Sequence, residues 1–411
     1  MSSDFYDSTR RLRRTRTKKR VQRKTLKLAS LALIAIPFSS AFGAALSPKE
    51  ELGKAIFFDA SLSEPAGQAC ASCHIPDAGF SGPASAHDGH GGVEPGAVEG
   101  RFANRKAPSV SYAAFSPKFH FDAEEKHYVG GQFWDGRAAT LMDQAKQPFL
   151  NPLEMNNASP KSVCAKVQKA DYADDFQAVF GVAKLDCGGD GEPGYDLIAQ
   201  ALAAYEASAE VNPFSSKFDY VVKGQATFTP REKRGRELFD DVKKAACAEC
   251  HPSTGPTPGT RALFTDFTYD NLGMPANRNN PFYRQDAQHN PAGVMWKDKG
   301  LGAIVNEAEF IGAFKVPSLR NVAKRVDDQT RTYGHNGVFT SLEDIVHFYN
   351  TRDVKGALPG GQDWAKPEFP QTMNVEELGN LKLSADDEAA LVAFLKTLSD
   401  GFDPQAGAYP D

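Results

Sequence analysis

The chain has 411 residues, too many for one ordinary hydrophobic core, so two domains are expected. Its hydrophobic share of 41% and charged share of 24% are those of a soluble globular protein. The formal charge of −5 hides a division: eleven Lys/Arg lie between Arg10 and Lys27, and without residues 1–43 the charge falls to about −14. So acidic a remainder argues against nucleic acid as a partner and suits a small basic redox protein.

The basic stretch is followed by an apolar run from Leu28 to Phe42, and Ala41-Phe42-Gly43 offers small residues where a signal peptidase reads. This pattern is a secretory signal with a long basic n-region, so the mature protein is expected in the periplasm and free of the membrane. An uncleaved anchor is the competing reading. The run falls short of the roughly 20 residues a spanning helix needs, and Pro37 weakens it further.

Beyond the signal, Ser47-Pro48-Lys49-Glu50 is a capping box with Pro at the first helical position, so a helix opens there. Then comes Cys70-Ala71-Ser72-Cys73-His74, the attachment signature of c-type haem. The two sulfurs bond to the haem vinyl groups, and the adjoining imidazole is placed to ligate the iron. Zinc would want four clustered ligands, and no second Cys-x-x-Cys or His-x-x-x-His sits nearby. Asp135-Gly136 reads as a turn before a helix start at Thr140-Leu141. Cys164 and Cys187 remain outside the haem motifs; in an oxidising compartment they either pair, contributing roughly 3 kcal/mol, or stay as two free thiols. Tyr195–Ala207 has a helical pattern.

The same order then recurs. Thr229-Pro230-Arg231-Glu232 is a second capping box, with Gly235 and Phe239 matching Gly53 and Phe57. Cys247-Ala248-Glu249-Cys250-His251 is a second haem motif, Asn336-Gly337 precedes Ser341-Leu342, and a helix is expected over Leu342–Asn350. In the closing helix Ala385–Leu398, the residues Leu391, Phe394, Leu395 and Leu398 keep the spacing of a buried face. Strand-like alternation is scarce. The expected fold is therefore mostly α: two internally duplicated, cytochrome c-like haem domains over 46–225 and 226–402, with long Gly/Pro-rich loops.

Across nearly all of residues 46–400 the chain resembles the bacterial di-haem cytochrome c peroxidases and the related MauG proteins. The resemblance rests on both haem motifs, on Gln132–Ala138 (QFWDGRA) and on Asn151–Met155 (NPLEM). It rests further on Phe314–Val322 (FKVPSLRNV), and on Tyr333–Gly337 (YGHNG) with Ser341–Asp344. It implies two covalently bound haem c groups with His74 and His251 as proximal ligands. The N-terminal haem would react with hydrogen peroxide and the C-terminal haem would accept electrons from a small donor protein, a cytochrome c or a cupredoxin. Trp134 would relay electrons between the haems. Glu154 and Gln144 would be the distal groups of the peroxide-reacting haem, where a carboxylate can move a proton from the near peroxide oxygen to the far one. A homodimer is a candidate assembly.

One position departs from the peroxidases of the family, which carry Met fourteen residues after the histidine matching His335. This chain has Tyr349 there, as MauG-type proteins do. A phenolate-type ligand would stabilise ferric iron and lower the potential of the second haem; Met274 or Met373 would be the ligand if Tyr349 only packs in its helix. The family's interdomain calcium would take carbonyls at Thr330 and Thr332 and an asparagine. Lys106 stands at the asparagine position, so Asn104 would have to shift in. His87 and His90 are candidates for a histidine that blocks the first haem at rest. The rival readings are a MauG-like enzyme that oxidises side chains of a partner protein and a non-catalytic di-haem electron carrier.

Overall fold

Both capping boxes form. In the computed structural model Ser47 N donates to Glu50 Oε2 at 2.6 Å, and Thr229 N donates to Glu232 Oε2 at 2.7 Å. They open the helices Pro48–Phe57 and Pro230–Asp240, each with Pro in its first turn, where the missing N–H costs nothing. The structure describes residues 45–82, 91–182, 185–324 and 331–409. The expected signal over 1–43, His87, His90 and Thr330 lie outside the described residues.

Each of these helices packs against a later one, Pro48–Phe57 against Glu192–Glu206 and Pro230–Asp240 against Ala385–Lys396. The crossings are tight because each has a glycine at the contact. A Cβ on Gly53 would lie 2.0 Å from Ala201 O, and one on Gly235 would lie 1.9 Å from Ala390 O. Here glycine is required by backbone approach, not by a positive φ. Leu52, Ile56, Phe57, Ile198, Leu202 and Tyr205 fill the first core; Leu238, Phe239, Phe264, Leu391, Phe394 and Leu398 fill the second. The two cores share no residue, yet Gly43–Asp411 forms one compact unit.

Buried polar contacts link segments far apart in sequence. Arg320 donates to both carboxylate oxygens of Asp219 at 3.0 and 2.9 Å, and Asp400 accepts from Tyr112 Oη at 2.8 Å and Asn321 Nδ2 at 2.9 Å. Sheet is confined, among the described residues, to two short antiparallel pairs, His120–Asp122 with His127–Val129 and Tyr269–Asp270 with Phe314–Lys315. The regular structure of the described residues is thus mostly helix, as the patterning predicts, with loops between. Cys164 and Cys187 form a disulfide that fastens the helix Pro160–Val167 to the loop before Glu192. No helix among the described residues is long and apolar enough to cross a membrane.

Candidate haem sites

The two Cys-x-x-Cys-His segments fold alike. In each, the histidine amide donates to the carbonyl of the first cysteine at 2.9 Å, His74 to Cys70 and His251 to Cys247. The imidazoles are held the same way: His74 Nδ1 lies 3.3 Å from Phe80 O, and His251 Nδ1 lies 2.8 Å from Phe264 O. The carbonyls of Pro108 and Pro317 also act on these rings. Phe80 and Phe264 have φ of 52° and 53°, and the carbonyls just before them accept from Ser109 Oγ and Ser318 Oγ, both at 2.7 Å.

With Nδ1 as donor, Nε2 is left for a metal, and the ring cannot swing. Burial pushes His74 down to about 4 and lowers His251 as well, so both are neutral near pH 7, the form that ligates iron. The sulfurs of Cys70, Cys73, Cys247 and Cys250 are in no disulfide and stand for the thioether sulfurs of an attached haem. Geometry and ionisation fit the group at both motifs.

A cavity of about 280 Å³, mostly apolar, opens beside the second motif. Cys247, Cys250 and His251 line it, together with Leu342, Leu391, Leu395 and Tyr349. Tyr349 retains some accessible surface, but that surface faces the cavity rather than bulk water. Desolvation therefore raises its hydroxyl, and the neighbouring Cys250 and Cys247 sulfurs raise it further. Only a bound cation would reverse that preference. Of the two alternative methionines, Met274 lines this cavity, whereas Met373 lines a separate shallow pocket beside Trp364.

Trp134 lines the same cavity and is fixed at two points, through Lys106 and Lys315, with Lys106 anchored in its turn. Its Nε1 donates to Lys106 O at 2.8 Å, its carbonyl accepts from Lys315 N at 2.8 Å, and Lys106 N donates to His335 O at 2.9 Å. His335 stacks on Phe314 with ring centroids 3.5 Å apart, and its Nε2 has no partner among the described residues.

Glu154 follows the helix Leu141–Leu150, and Asn151 Nδ2 donates to its Oε1 at 2.9 Å. Desolvation raises its carboxyl above the ordinary range, and that charge is felt by Cys70 and Cys73, which places Glu154 beside the first motif. Gln144 sits four residues before Pro148 on the same helix, so both share one face.

The helices Leu141–Leu150 and Leu342–Thr351 are capped by Thr140 and Ser341. Counted from these caps, Pro148 occupies the register of Tyr349. The second helix offers a phenol where the first offers only ring carbons. Sequence reasoning passed over Pro148, although counting eight residues from each cap exposes it.

Of the expected calcium ligands, Thr330 lies outside the described residues and the described ones have other partners. Asn104 O accepts from Asn280 Nδ2 at 3.1 Å, Thr332 Oγ1 lies 3.4 Å from Gly92 O, and position 106 presents an ammonium. An ammonium cannot ligate a cation, so no step is derived through calcium.

A model for the di-haem cytochrome c peroxidases matches residues 47–227. The methylamine utilization protein MauG of Paracoccus denitrificans is 39% identical over 389 residues, covering 91% of this chain and 96% of its own. The chain belongs to the di-haem cytochrome c peroxidase and MauG family. The cytochrome c551 peroxidase of Pseudomonas aeruginosa is 29% identical, with 85% of this chain and 78% of that one covered. Among solved structures, the diheme peroxidase BthA from Burkholderia thailandensis superposes with a TM-score of 0.73 at 34% identity, covering 89% of this chain and 91% of that chain. Membership of the di-haem family makes two haems the cofactors of this chain.

Proposed function

We propose that the chain is a periplasmic di-haem c-type peroxidase that reduces hydrogen peroxide to water with two electrons from a small redox protein. The observation that carries this reading is the inequality of the two sites: Pro148 and Glu154 at the first, Tyr349 at the second. We read the two halves, 46–225 and 226–402, as copies of one haem domain. The matched capping boxes, contact glycines, histidine carbonyls and Ser109/Ser318 hydrogen bonds support that reading.

A haem bound at each motif would supply the electron chemistry, held by Cys70, Cys73 and His74 in the first half and by Cys247, Cys250 and His251 in the second. The protein's own part is protonic and positional. Glu154, held by Asn151 in a dehydrated setting, can accept a proton at one oxygen of the substrate and return it to the other. Gln144, on the face it shares with Pro148, would orient that substrate by hydrogen bonds. Pro148 keeps the distal space clear, because it carries no group able to ligate. Trp134, locked by Lys106 and Lys315, places an aromatic ring on the wall of the second cavity with no freedom to turn away.

Tyr349 as ligand of the second iron, with Met274 as the alternative within reach of the cavity, belongs to the same proposal. The likeness to a MauG at 39% identity also supports a second reading, oxidation of a partner protein's side chains. Steady-state assays with a reduced c-type cytochrome separate the two readings. The peroxidase reading expects two donor molecules oxidised per peroxide consumed; donor oxidation no faster than without enzyme would overturn it.

A further inference from the structure

Two cations face the cavity beside Trp134 without a salt bridge among the described residues. Lys106 is 5% exposed; its ammonium donates to Ser81 Oγ at 2.8 Å and to Ala107 O at 3.3 Å. Arg331 spends its Nη1 on backbone carbonyls alone, those of Ala78, Asn321 and Lys324. Both side chains line the cavity. Neither forms a salt bridge among the described residues. The only carboxylate there that acts on Lys106 is Glu94, whose Oε2 accepts from Ala107 N at 3.0 Å and whose Oε1 is unpartnered; none acts on Arg331.

Two buried cations facing one described carboxylate, which also accepts from Ala107 N, are short of negative charge, so they mark a place where a further anion is expected. Haem brings that anion, because each haem carries two carboxylates. The same two residues occupy the frame in which the family's calcium would sit: Lys106 at the asparagine position and Arg331 between the two carbonyl positions. Lys106 also bears the carbonyl that accepts from Trp134 Nε1 at 2.8 Å, so its placement and that of the tryptophan are one problem.

We propose that Lys106 and Arg331 replace a bound divalent cation, serving as fixed counter-charges for haem carboxylates and holding the Trp134 junction without calcium. The proposal rests on the haem reading above. It is judged separately from the peroxidase reading, because its readouts are metal content, spectra and midpoint potentials of the holoprotein, none of which requires turnover.

The test measures calcium in the purified holoprotein and its response to EGTA, then the midpoint potentials of the Lys106→Met and Arg331→Met variants. The expected result is less than stoichiometric calcium, with haem spectra and potentials unmoved by EGTA or by added calcium. Each variant should lower the potential of a haem, since removing a positive charge favours the more positive ferric form. Lys106→Arg, which keeps the charge, should hold the wild-type potentials. One calcium per chain whose removal shifts a spectrum or potential would overturn the proposal. So would charge-removing variants that keep both haems at unchanged potentials. Should these variants fail to incorporate haem, the chelation experiment on the wild-type holoprotein decides alone.

Discussion

In the proposed function Glu154 is the side chain on which peroxide chemistry would most depend, as the carboxyl near Cys70 and Cys73 that falls at the expected distal position. Glu154→Gln removes the proton relay but keeps size and polarity. Peroxide turnover should fall by about 10²- to 10⁴-fold while both haems stay attached. An unchanged rate would transfer the role to another group. Tyr349→Met should alter the absorption spectrum and potential of the second haem and leave the first untouched; an unaltered spectrum would show that Met274 or another group is the ligand. Glu206 tests the electrostatics away from chemistry. It is buried at the end of Glu192–Glu206, its Oε2 has no partner among the described residues, and burial raises its carboxyl to about 8. A carboxyl raised in the fold contributes stability that is full below its unfolded value, near 4.5, and is lost as pH rises through 8. Glu206→Gln should therefore raise Tm relative to wild type at pH 8 and not at pH 4; equal shifts at both would refute this ionisation. At this scale the sequence was informative about attachment, because covalent haem demands a fixed spacing of Cys and His. It was silent about Pro148, whose meaning lies in a helical register shared with Tyr349, and about Lys106 and Arg331 as a pair, because their significance lies in the cavity they share.

The helices were legible because their signals are local. Ser47 and Thr229 cap where their side chains predict, and Leu391, Phe394, Leu395 and Leu398 are buried as their spacing requires. Leu342–Thr351 and Ala385–Lys396 begin where expected and end within two residues of expectation. The loops were less legible. Phe80 and Phe264 adopt positive φ, which no propensity favours for phenylalanine. Each does so because its carbonyl is drawn onto a histidine ring, a constraint set by residues far apart in sequence. Likewise Gly53 and Gly235 read as weak points in helices until their partners are known. Gly235→Ala should cost roughly 1–3 kcal/mol by overpacking against Ala390, measured by chemical denaturation of the holoprotein. A loss below about 0.5 kcal/mol would mean that the helix pair can separate without penalty.

On the scale of the whole molecule, the proposed reading is that a repeated order of elements yields two sites alike on the proximal side and different on the distal side. The proximal likeness is the matched pair of histidine carbonyls; the distal difference is one helical register, proline against tyrosine. Arg320–Asp219 and the contacts of Asp400 link segments far apart in sequence, and the cavity and Trp134 lie within the one compact unit Gly43–Asp411. The most direct test of this inequality is the electron paramagnetic resonance spectrum of the fully oxidised holoprotein. The account predicts a high-spin ferric signal from the first haem, open beside Pro148, and a low-spin signal from the second, closed by a sixth ligand. Low-spin ferric signals alone, with no high-spin signal before or after one-electron reduction, would contradict it and leave an electron carrier in its place.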